Sequence, residues 1–384
     1  MLRSAHALGG LEPREIARAM RTVDVVEAVR AANAAGEAIV PFGGGTRAEI
    51  GDPPERYDVA LDLRDLRGIV AHEPADLVAT VRAGTTLAEL ADLLRPRGQR
   101  WPVEAAMPER ATVGGTLASA ADGPARMRYF HPRDWVLGVE AVLGDGTLTR
   151  AGGRVVKNVT GYDLTKLYGG TYGTLCVLTE VTLKLTALPD AVLTLRYDAA
   201  DLDAAYREVR ALRATHLPVD ALAIVIGPPA LSIGAPTGFG VFARLAGSAR
   251  VVARLRAELE RVIPWRESGD VWERVAGLPT EAASSVRLTY PAGSLEPHPG
   301  DAGGLVYPGV DSAHLFDEQS RDGVSQLRLV LEGKGGAAVL ERVPLELRRA
   351  AGTWGTPRSN AVVARELKRR FDPNGVLSPG RVPF

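Results

Sequence analysis

Hydrophobic and polar residues in the first half of the chain alternate between the spacing of helices and the spacing of strands. Apolar positions recur at helical spacing over residues 12–34, which predicts an amphipathic helix that ends at Gly36. The apolar run at 38–42 predicts a strand directly after it. Thr86 is placed to cap a second helix, and frequent glycine and proline at 98–134 predict a long ordered loop. Further strands are predicted at 59–63, 68–71, 79–84, 136–143 and 175–185, and helices at 87–94 and 164–167.

The pattern changes after Pro189. The predicted order becomes strand, helix, strand, strand, helix, which is typical of a small α+β domain with an antiparallel sheet. Glycine and proline are again frequent at 291–312, which predicts a loop, and a last helix and an apolar tail close the chain. We therefore predict a first domain at 1–188, a cap-like domain at 189–355, and a tail at 356–384 that returns to the first domain. The elements predicted after the boundary lie at 191–197, 202–215, 221–226, 238–245 and 249–262.

Composition narrows the possible partners. The chain has 384 residues with 46 Lys and Arg against 46 Asp and Glu, so its net charge is zero and nothing favours nucleic acid or an anionic membrane as the main partner. Its single cysteine, Cys176, excludes an intrachain disulfide and a four-cysteine iron–sulfur or zinc site, so any iron–sulfur chemistry must lie on another protein. His298 and His314 lack the spacing of metal ligands, and we expect no metal.

The N-terminal residues contain no apolar core of a signal peptide, and no run of 18 apolar residues follows. We therefore expect no transmembrane segment. The expected location is the cytoplasm, where partners could hold the chain at the inner membrane.

A glycine-rich segment at 41–47 follows the first predicted strand. Because three successive glycines carry no Cβ, the backbone there can approach a ligand closely. Its N–H groups, the Thr46 hydroxyl and the Arg47 guanidinium suit a pyrophosphate. A tight turn from strand to loop explains the glycines equally well when they are taken alone.

A Rossmann domain is one alternative for this segment. The spacing of Gly43, Gly45 and Ala48 fits its fingerprint. Asp62 also stands at a plausible distance for a ribose contact. However, the two prolines after Asp52 leave room for barely two helical turns, and the next strand follows too soon for a βαβ crossover. A Rossmann enzyme that uses NAD is therefore the last of three alternatives.

Several segments stand in a recognisable order along the chain: the glycine segment at 40–46, the strand at 59–63 with GTTL at 84–87, ATVGGTLA at 111–118, RDWVLGV at 133–139, TGYDLTKL at 160–167 with 169–178, and FDPNGVLSPGR at 371–381. Together they resemble the FAD-binding domain shared by vanillyl-alcohol oxidase, p-cresol methylhydroxylase and the 2-hydroxyacid dehydrogenases, called the PCMH-type domain. Within this family, the length of the chain and its Lys157-Asn158 pair resemble the E subunit of bacterial glycolate oxidase.

The resemblance implies an α+β fold in which a two-lobed PCMH-type FAD-binding domain is followed by a smaller cap-like α+β domain with an antiparallel sheet. It also implies bound FAD. No histidine lies at 39–50, where some relatives attach the flavin covalently, so we expect non-covalent FAD. The expected cofactor contacts are Pro41, Phe42, Gly43, Gly44, Gly45, Thr46, Arg47, Thr112, Val113, Gly114, Gly115, Ala118, Ser119, Arg126, Lys157, Asn158, Gly161, Tyr162, Gly173, Thr174 and Leu175.

Some of these residues have a plainer explanation. In the family the segment around Lys157 passes near the flavin ring, where a cation or an amide would stabilise the charge that reduction adds. Tyr162 is explained as well by core packing, and Arg47 and Arg126 by solvent exposure.

Two further residues are candidates for a role at the flavin. His131 could be the base that removes a hydroxyl proton, although an exposed loop histidine is the simpler explanation. Cys176 stands where the family usually has glycine, so it is either a buried core thiol or a side chain that narrows the site.

The activity that the resemblance implies is that of an FAD-dependent oxidoreductase acting on the CH–OH group of small 2-hydroxy acids. Hydride would move from the substrate α-carbon to flavin N5, and electrons would pass to an iron–sulfur subunit in a complex that also holds a larger flavin subunit. The histidine-containing catalytic stretch of the larger relatives is not found here. The alternative is therefore a non-catalytic flavin-binding or structural subunit that supports the larger flavoprotein.

Overall fold

The computed structural model describes residues 5–121, 123–154, 163–291, 297, 300, 302–357 and 359–383. Up to residue 188 the elements are β1 (Glu15–Arg18), α1 (Thr22–Ala35), β2 (Ile39–Phe42), β3 (Val59–Asp62), β4 (Ile69–Glu73), β5 (Val78–Arg82), α2 (Leu87–Leu94), β6 (Gln99–Arg100), α3 (Val113–Ala118), α4 (Arg126–Tyr129), β7 (Val136–Val142), β8 (Leu148–Gly152), α5 (Leu164–Tyr168), β9 (Val177–Lys184) and β10 (Thr186–Ala187).

The remaining elements are β11 (Ala191–Asp198), α6 (Leu202–Ala214), β12 (Ala221–Ile226), α7 (Pro228–Ser232), β13 (Phe239–Gly247), α8 (Ala249–Glu260), β14 (Arg266–Ser268), α9 (Trp272–Glu281), β15 (Ser285–Thr289), β16 (Gly304–Tyr307), β17 (Ser312–Leu315), α10 (Arg321–Glu332), β18 (Ala337–Arg342), α11 (Leu345–Ala351) and α12 (Ala361–Phe371). The mixture of helices with largely antiparallel sheets confirms the predicted α+β class.

The chain forms two compact units. Unit 1 comprises residues 1–122, 131–188 and 356–384, and unit 2 comprises 123–130 and 189–355. The segment 123–130 therefore does not belong with the rest of 1–188, where the sequence placed it. The side chain of Met127 packs against the core of unit 2, and a weak ion pair joins Arg128 to Asp220 at 3.8 Å.

Unit 1 contains a parallel sheet in the order β1-β3-β2 and an antiparallel sheet in the order β4-β5-β9-β7-β8. Helix α1 buries Val25 and Val29 in one apolar cluster with Ile39 and Leu61, so it packs on the parallel sheet. Strands β2 and β3 are buried at nearly every position and read as short apolar runs, whereas the edge strand β1 is largely exposed. The ends of β2 and β3 are thereby held side by side, with Phe42 opposite Asp62.

The start of the first predicted helix is wrong. Residues 15–18 form β1, which pairs in parallel with β3, and the helix begins only at Thr22. The Asp24 carboxylate accepts a hydrogen bond of 2.9 Å from the Arg21 backbone N–H, which marks the helix start. The spacing of charged residues at 15–18 predicts a helix, but pairing with the distant strand β3 makes this segment a short edge strand. The end is as predicted, with Gly36 at φ 66°.

Unit 2 contains one antiparallel sheet in the order β14-β11-β13-β12-β16-β17-β15-β18. Along β12, Leu222, Ile224 and Ile226 belong to one apolar cluster, and Ala223 and Val225 to another. The first cluster includes apolar residues of α6, α8 and α10, and the second includes residues of α7 and α9. The sheet is therefore covered by helices on both faces.

The loop predicted at 291–312 is wrong in part. Its described residues include β16, which is buried at all four positions and pairs with β12 and β17 inside the sheet. The glycine before this strand disfavours a strand prediction from the sequence. Glycine is needed there because a Cβ on Gly303 would lie 2.1 Å from the Ile226 carbonyl oxygen.

The described ranges contain neither a membrane-spanning helix nor a cluster of metal-binding side chains. Among these residues no helix combines the length and the apolar character needed to cross a bilayer. No group of three or more His, Cys, Asp or Glu side chains is arranged there to hold a metal ion.

Candidate cofactor-binding site

The first glycine loop begins where β2 ends. The Phe42 carbonyl accepts a hydrogen bond of 2.8 Å from Leu63, which holds the strand end in place. A Cβ on Gly44 would lie 1.6 Å from the Arg110 carbonyl oxygen, and one on Gly43 would lie 2.3 Å from Thr112 Oγ1. Gly45 has φ 70°, a conformation that other residues rarely adopt. Glycine is required at 43 and 44 because a neighbouring segment passes so close, and it is favoured at 45 by the backbone angle.

The loop presents unused hydrogen-bond donors. Within the described part of the chain, the backbone N–H groups of Gly43, Gly44, Gly45 and Thr46 donate to no protein carbonyl. Four successive amides without a protein acceptor form a cradle that suits an anion.

The second loop is the neighbour that fixes the first. Thr112 caps α3, its Oγ1 accepting a hydrogen bond of 3.1 Å from the Gly115 N–H. The Gly114 N–H donates to the Ala83 carbonyl at 2.8 Å, and a Cβ on Gly114 would lie 2.7 Å from that of Ala83. The start of α3 is thereby packed directly onto the segment after β5, beside the first loop.

A third segment, between α5 and β9, completes the site. Gly173 has φ 70°, and a Cβ there would lie 2.5 Å from Cγ of Pro41. The carbonyl of Thr174 accepts a hydrogen bond of 2.7 Å from the Lys368 ammonium group of α12. This segment is therefore held against β2 from one side and by the C-terminal helix from the other.

These three segments surround one cleft within unit 1. The empty space between them is about 850 Å³, a volume that includes open solvent at the mouth of the cleft. Its lining consists of Leu8, Val40, Pro41, Phe42, Gly43, Gly44, Gly45, Thr46, Arg47, Ala48, Leu63, Ala83, Thr112, Gly114, Gly115, Ala118, Ser119, Tyr172, Gly173, Cys176, Val177, Leu178 and Arg381.

The structure brings most of the predicted cofactor contacts together. All residues of 41–47 line the cleft, and so do Thr112, Gly114, Gly115, Ala118, Ser119 and Gly173. Val113, Thr174 and Leu175 do not line it and are buried beside it.

Other predicted residues lie elsewhere. Arg126 is the first residue of α4 in unit 2 and does not line this cleft. His131 precedes a 3-10 turn, its N–H donating to the Asp134 carboxylate at 3.1 Å, and it does not line the cleft either. The predicted contacts Lys157, Asn158, Gly161 and Tyr162 lie outside the described residues.

Ten of the 23 lining residues were not among the predicted cofactor contacts. Apolar residues such as Leu8, Ala83 and Val177 carry no local signal of a binding role, because they look like ordinary core residues. Arg381 lies in the FDPNGVLSPGR tail, whose resemblance to the family could have drawn attention to it. Cys176 is a buried thiol, 2% exposed, and it also lines the cleft.

The cleft is positive in charge. Arg47 and Arg381 are the charged residues among its described lining, and Arg110 Nη2 donates to the Gly44 carbonyl at 3.1 Å. Burial raises the pKa of the Cys176 thiol well above its usual range, so it stays neutral at physiological pH. Two guanidinium groups and a cradle of free amides fit the diphosphate of a dinucleotide such as FAD.

The fold and this cleft define a PCMH-type FAD-binding flavoprotein. A family described as FAD binding domain matches residues 13–152. Glycolate oxidase subunit GlcE of Escherichia coli (strain K12) is 32% identical over 351 residues, which are 90% of this chain and 92% of that protein. The chain belongs to this family of glycolate oxidase E subunits.

Other relatives match over a shorter range. Glycolate oxidase subunit GlcD of Bacillus subtilis (strain 168) is 33% identical over 171 residues, 44% of this chain and 36% of that protein. A D-2-hydroxyglutarate dehydrogenase of Xanthomonas citri pv. viticola is 35% identical over 177 residues, 46% of this chain and 38% of that protein. The chain therefore spans little more than a third of the length of these two relatives.

Solved structures support the same fold. A structure of alkyldihydroxyacetonephosphate synthase aligns with a TM-score of 0.73 at 16% identity and covers 96% of this chain and 77% of its own. A structure of p-cresol methylhydroxylase with substrate bound aligns with a TM-score of 0.68 at 16% identity and covers 95% and 88%. The prediction of FAD as the cofactor is confirmed by the family, and its non-covalent attachment stays a prediction.

Proposed function

We propose that this chain is the FAD-binding E subunit of a glycolate-oxidase-like complex that oxidises small 2-hydroxy acids. The observation that carries the proposal is the cleft: three loops and four free amides meet in a chain that matches GlcE over 90% of its length. The GlcD and D-2-hydroxyglutarate dehydrogenase relatives support 2-hydroxy acids as the substrate class.

Each part of the cleft would have a separate task. The amides of 43–46 and the guanidinium groups of Arg47 and Arg381 would bind the FAD diphosphate. Apolar residues such as Leu8 and Val177 would exclude water from the bound cofactor. When bound, FAD supplies the hydride acceptor that the oxidation of a 2-hydroxy acid needs, with flavin N5 as the expected accepting atom.

Electrons would leave through other proteins. The single cysteine cannot hold an iron–sulfur cluster, so a separate iron–sulfur subunit would have to take the electrons. The larger flavin subunit and this iron–sulfur subunit are therefore the proposed partners, and the complex would work at the cytoplasmic face of the inner membrane.

One observation favours the second candidate, a flavin-binding subunit without chemistry of its own. The described lining of the cleft holds no histidine, aspartate or glutamate that could accept the substrate hydroxyl proton. Among the residues that the sequence proposed for the flavin ring, Lys157 and Tyr162 lie outside the described part of the chain. The first candidate therefore requires a base from those residues, from His131 or from a partner.

Two measurements on the purified chain separate these candidates. Flavin absorbance that acid releases into the supernatant would support non-covalent FAD, and a colourless protein that takes up no FAD would overturn both. Bleaching of the flavin on anaerobic addition of glycolate or D-lactate would support chemistry on this subunit. A flavin that bleaches only when the partner subunits are added would support the second candidate.

A further inference from the structure

Helix α12 lies on the surface of unit 1, and none of its 11 residues is buried. Its inner face is held near the end of the helix. There the Lys368 ammonium group donates to the Thr174 carbonyl at 2.7 Å, and the Phe371 ring meets the Tyr168 ring edge-on at 5.9 Å. A surface helix is normally stabilised by burying an apolar stripe, so α12 would gain stability from a further contact.

The opposite face of α12 carries two pairs of residues, one in the first turn and one in the last. Val362 and Val363 are 66% and 62% exposed. Arg369 and Arg370 have side chains that are 76% and 74% exposed. Because two helical turns separate the pairs, both lie on one face, about 10 Å apart along the helix axis.

This face carries a surplus of positive charge. Glu366 lies between the two pairs, and both guanidinium groups share its carboxylate, Arg369 at 3.8 Å and Arg370 at 3.0 Å. One carboxylate cannot neutralise two guanidinium groups, although the chain as a whole has no net charge. The surplus is therefore a local property of this face, and it favours an acidic surface opposite.

The composition of the face favours a protein over a lipid surface. Helices that bind membranes insert large apolar side chains such as Trp, Phe and Leu, whereas the exposed apolar pair here consists of two valines. Anionic headgroups would also repel the Glu366 carboxylate, which a cation on a protein could pair with instead.

We propose that α12 is a docking helix for another subunit of the complex. It would fit a groove on that subunit that is apolar opposite Val362 and Val363 and acidic opposite Arg369 and Arg370. Helices bound in this way present anchors at spacings of three, four and seven residues. Since Lys368 joins α12 to the Thr174 segment, the docked subunit would lie beside the cofactor cleft. The inference rests on the proposed assembly into a complex.

The test uses the complex purified from cells that co-express this chain with the larger flavin subunit and the iron–sulfur subunit of the same organism. Mass photometry over a dilution series gives Kd for the release of this chain. Thermal unfolding of each isolated chain reports its fold. Two double variants alter the face: Val362→Asp with Val363→Asp, and Arg369→Glu with Arg370→Glu.

The matched control is Leu329→Asp with Val330→Asp. These residues form another exposed apolar pair, 69% and 56% exposed, on helix α10 of unit 2. We expect each α12 variant to raise Kd at least about tenfold, and the control to stay within about twofold of wild type.

A folded α12 variant of either pair with Kd within about twofold of wild type would overturn the inference. A control that releases the partners as readily as the α12 variants do would overturn it too. If an α12 variant does not fold, its neutral version decides by the same criteria: Val362→Ser with Val363→Ser, or Arg369→Gln with Arg370→Gln.

Other occupants of the face are distinguished with the isolated chain. Sedimentation with phosphatidylglycerol vesicles, or formation of a dimer, that the Arg369→Glu and Arg370→Glu variant abolishes would assign the face to a membrane or to a second copy and overturn the inference. A wild-type chain that assembles with neither subunit would instead overturn the proposed complex.

Discussion

The three glycines of the first loop are required for different reasons. Gly44 faces the Arg110 carbonyl and Gly43 faces the Thr112 hydroxyl, whereas Gly45 meets nothing of the protein closer than 3.9 Å and is needed for its backbone angle. A side chain at Gly44 would therefore displace the protein's own backbone even without a cofactor. Position 45 is the better probe of the contact between this loop and a phosphate.

We predict that Gly45→Ala weakens FAD binding beyond its effect on stability. The matched control is Gly36→Ala, at φ 66° and with open space around it, at a residue that does not line the cleft. Both substitutions should cost about 1–2 kcal/mol of stability through the left-handed backbone angle. Only Gly45→Ala should also raise Kd for FAD, which fluorescence titration measures. Equal Kd values for the two variants would contradict a phosphate contact at this loop.

Asp62, at the end of β3, makes the stability of unit 1 depend on pH. Burial alone would raise the pKa of its carboxyl, but hydrogen bonds from Arg64 outweigh burial and hold the pKa below its usual value. A carboxyl with a lowered pKa in the folded state adds stability above the unfolded value near 3.9, and this stability is lost as pH falls through the folded value.

We therefore predict that Asp62→Asn lowers Tm at pH 7 and that it lowers Tm by a smaller amount at pH 3.5. The loss at pH 7 should correspond to about 1 kcal/mol, since the Arg64 side chain is half exposed. Thermal unfolding of both proteins at the two pH values measures the difference. A gap between wild type and variant that stays constant with pH would show that the Asp62 charge does not stabilise the fold.

At the scale of elements, two short helices beside the site each begin with a threonine N-cap. Thr86 caps α2, accepting from the Glu89 N–H at 3.1 Å, and Thr112 caps α3. The sequence predicted the first cap from the apolar stripe behind it, but α3 was hidden in the stretch read as a long loop. A helix of six residues with two glycines has too little periodicity to be recognised.

We predict that Thr112→Ala and Thr86→Ala each cost about 1 kcal/mol of stability through the lost cap. Only Thr112→Ala should also weaken FAD binding, because Thr112 lines the cleft and Thr86 does not. Thr112→Ser, which keeps the cap oxygen, should restore both properties. If Thr86→Ala and Thr112→Ala raise Kd equally, the start of α3 has no direct part in the cofactor site.

At the scale of the molecule, the two units have separate apolar cores. Leu61 belongs to a cluster of unit 1 and Leu288 to a cluster of unit 2, and both are at most 1% exposed. The lining of the cleft lies within unit 1. Ligand binding should therefore act on the stability of one unit.

We predict that calorimetry shows two unfolding transitions and that FAD raises the midpoint temperature of one of them. At 100 times Kd, FAD should add about 2.7 kcal/mol to the unit that binds it. Leu61→Ala should lower the midpoint of the transition that FAD raises, and Leu288→Ala should lower the midpoint of the other transition. Each substitution should reduce the unfolding free energy of its unit by about 2–5 kcal/mol. An equal FAD shift of both transitions would show that the units unfold together.

Resemblance to known sequences indicated the FAD-binding family, and the sequence by itself determined local features: the strand before the glycine loop, the turn chemistry of 41–47 and the change of pattern at Pro189. These depend on neighbouring residues, whose spacing and backbone freedom are written in the chain order. Only the tertiary structure decided that Arg381 holds the carbonyl of Ala48, 333 positions away, that Leu8 lines the cleft, and that 123–130 packs with unit 2. Such contacts arise from packing between distant segments, which no local periodicity encodes.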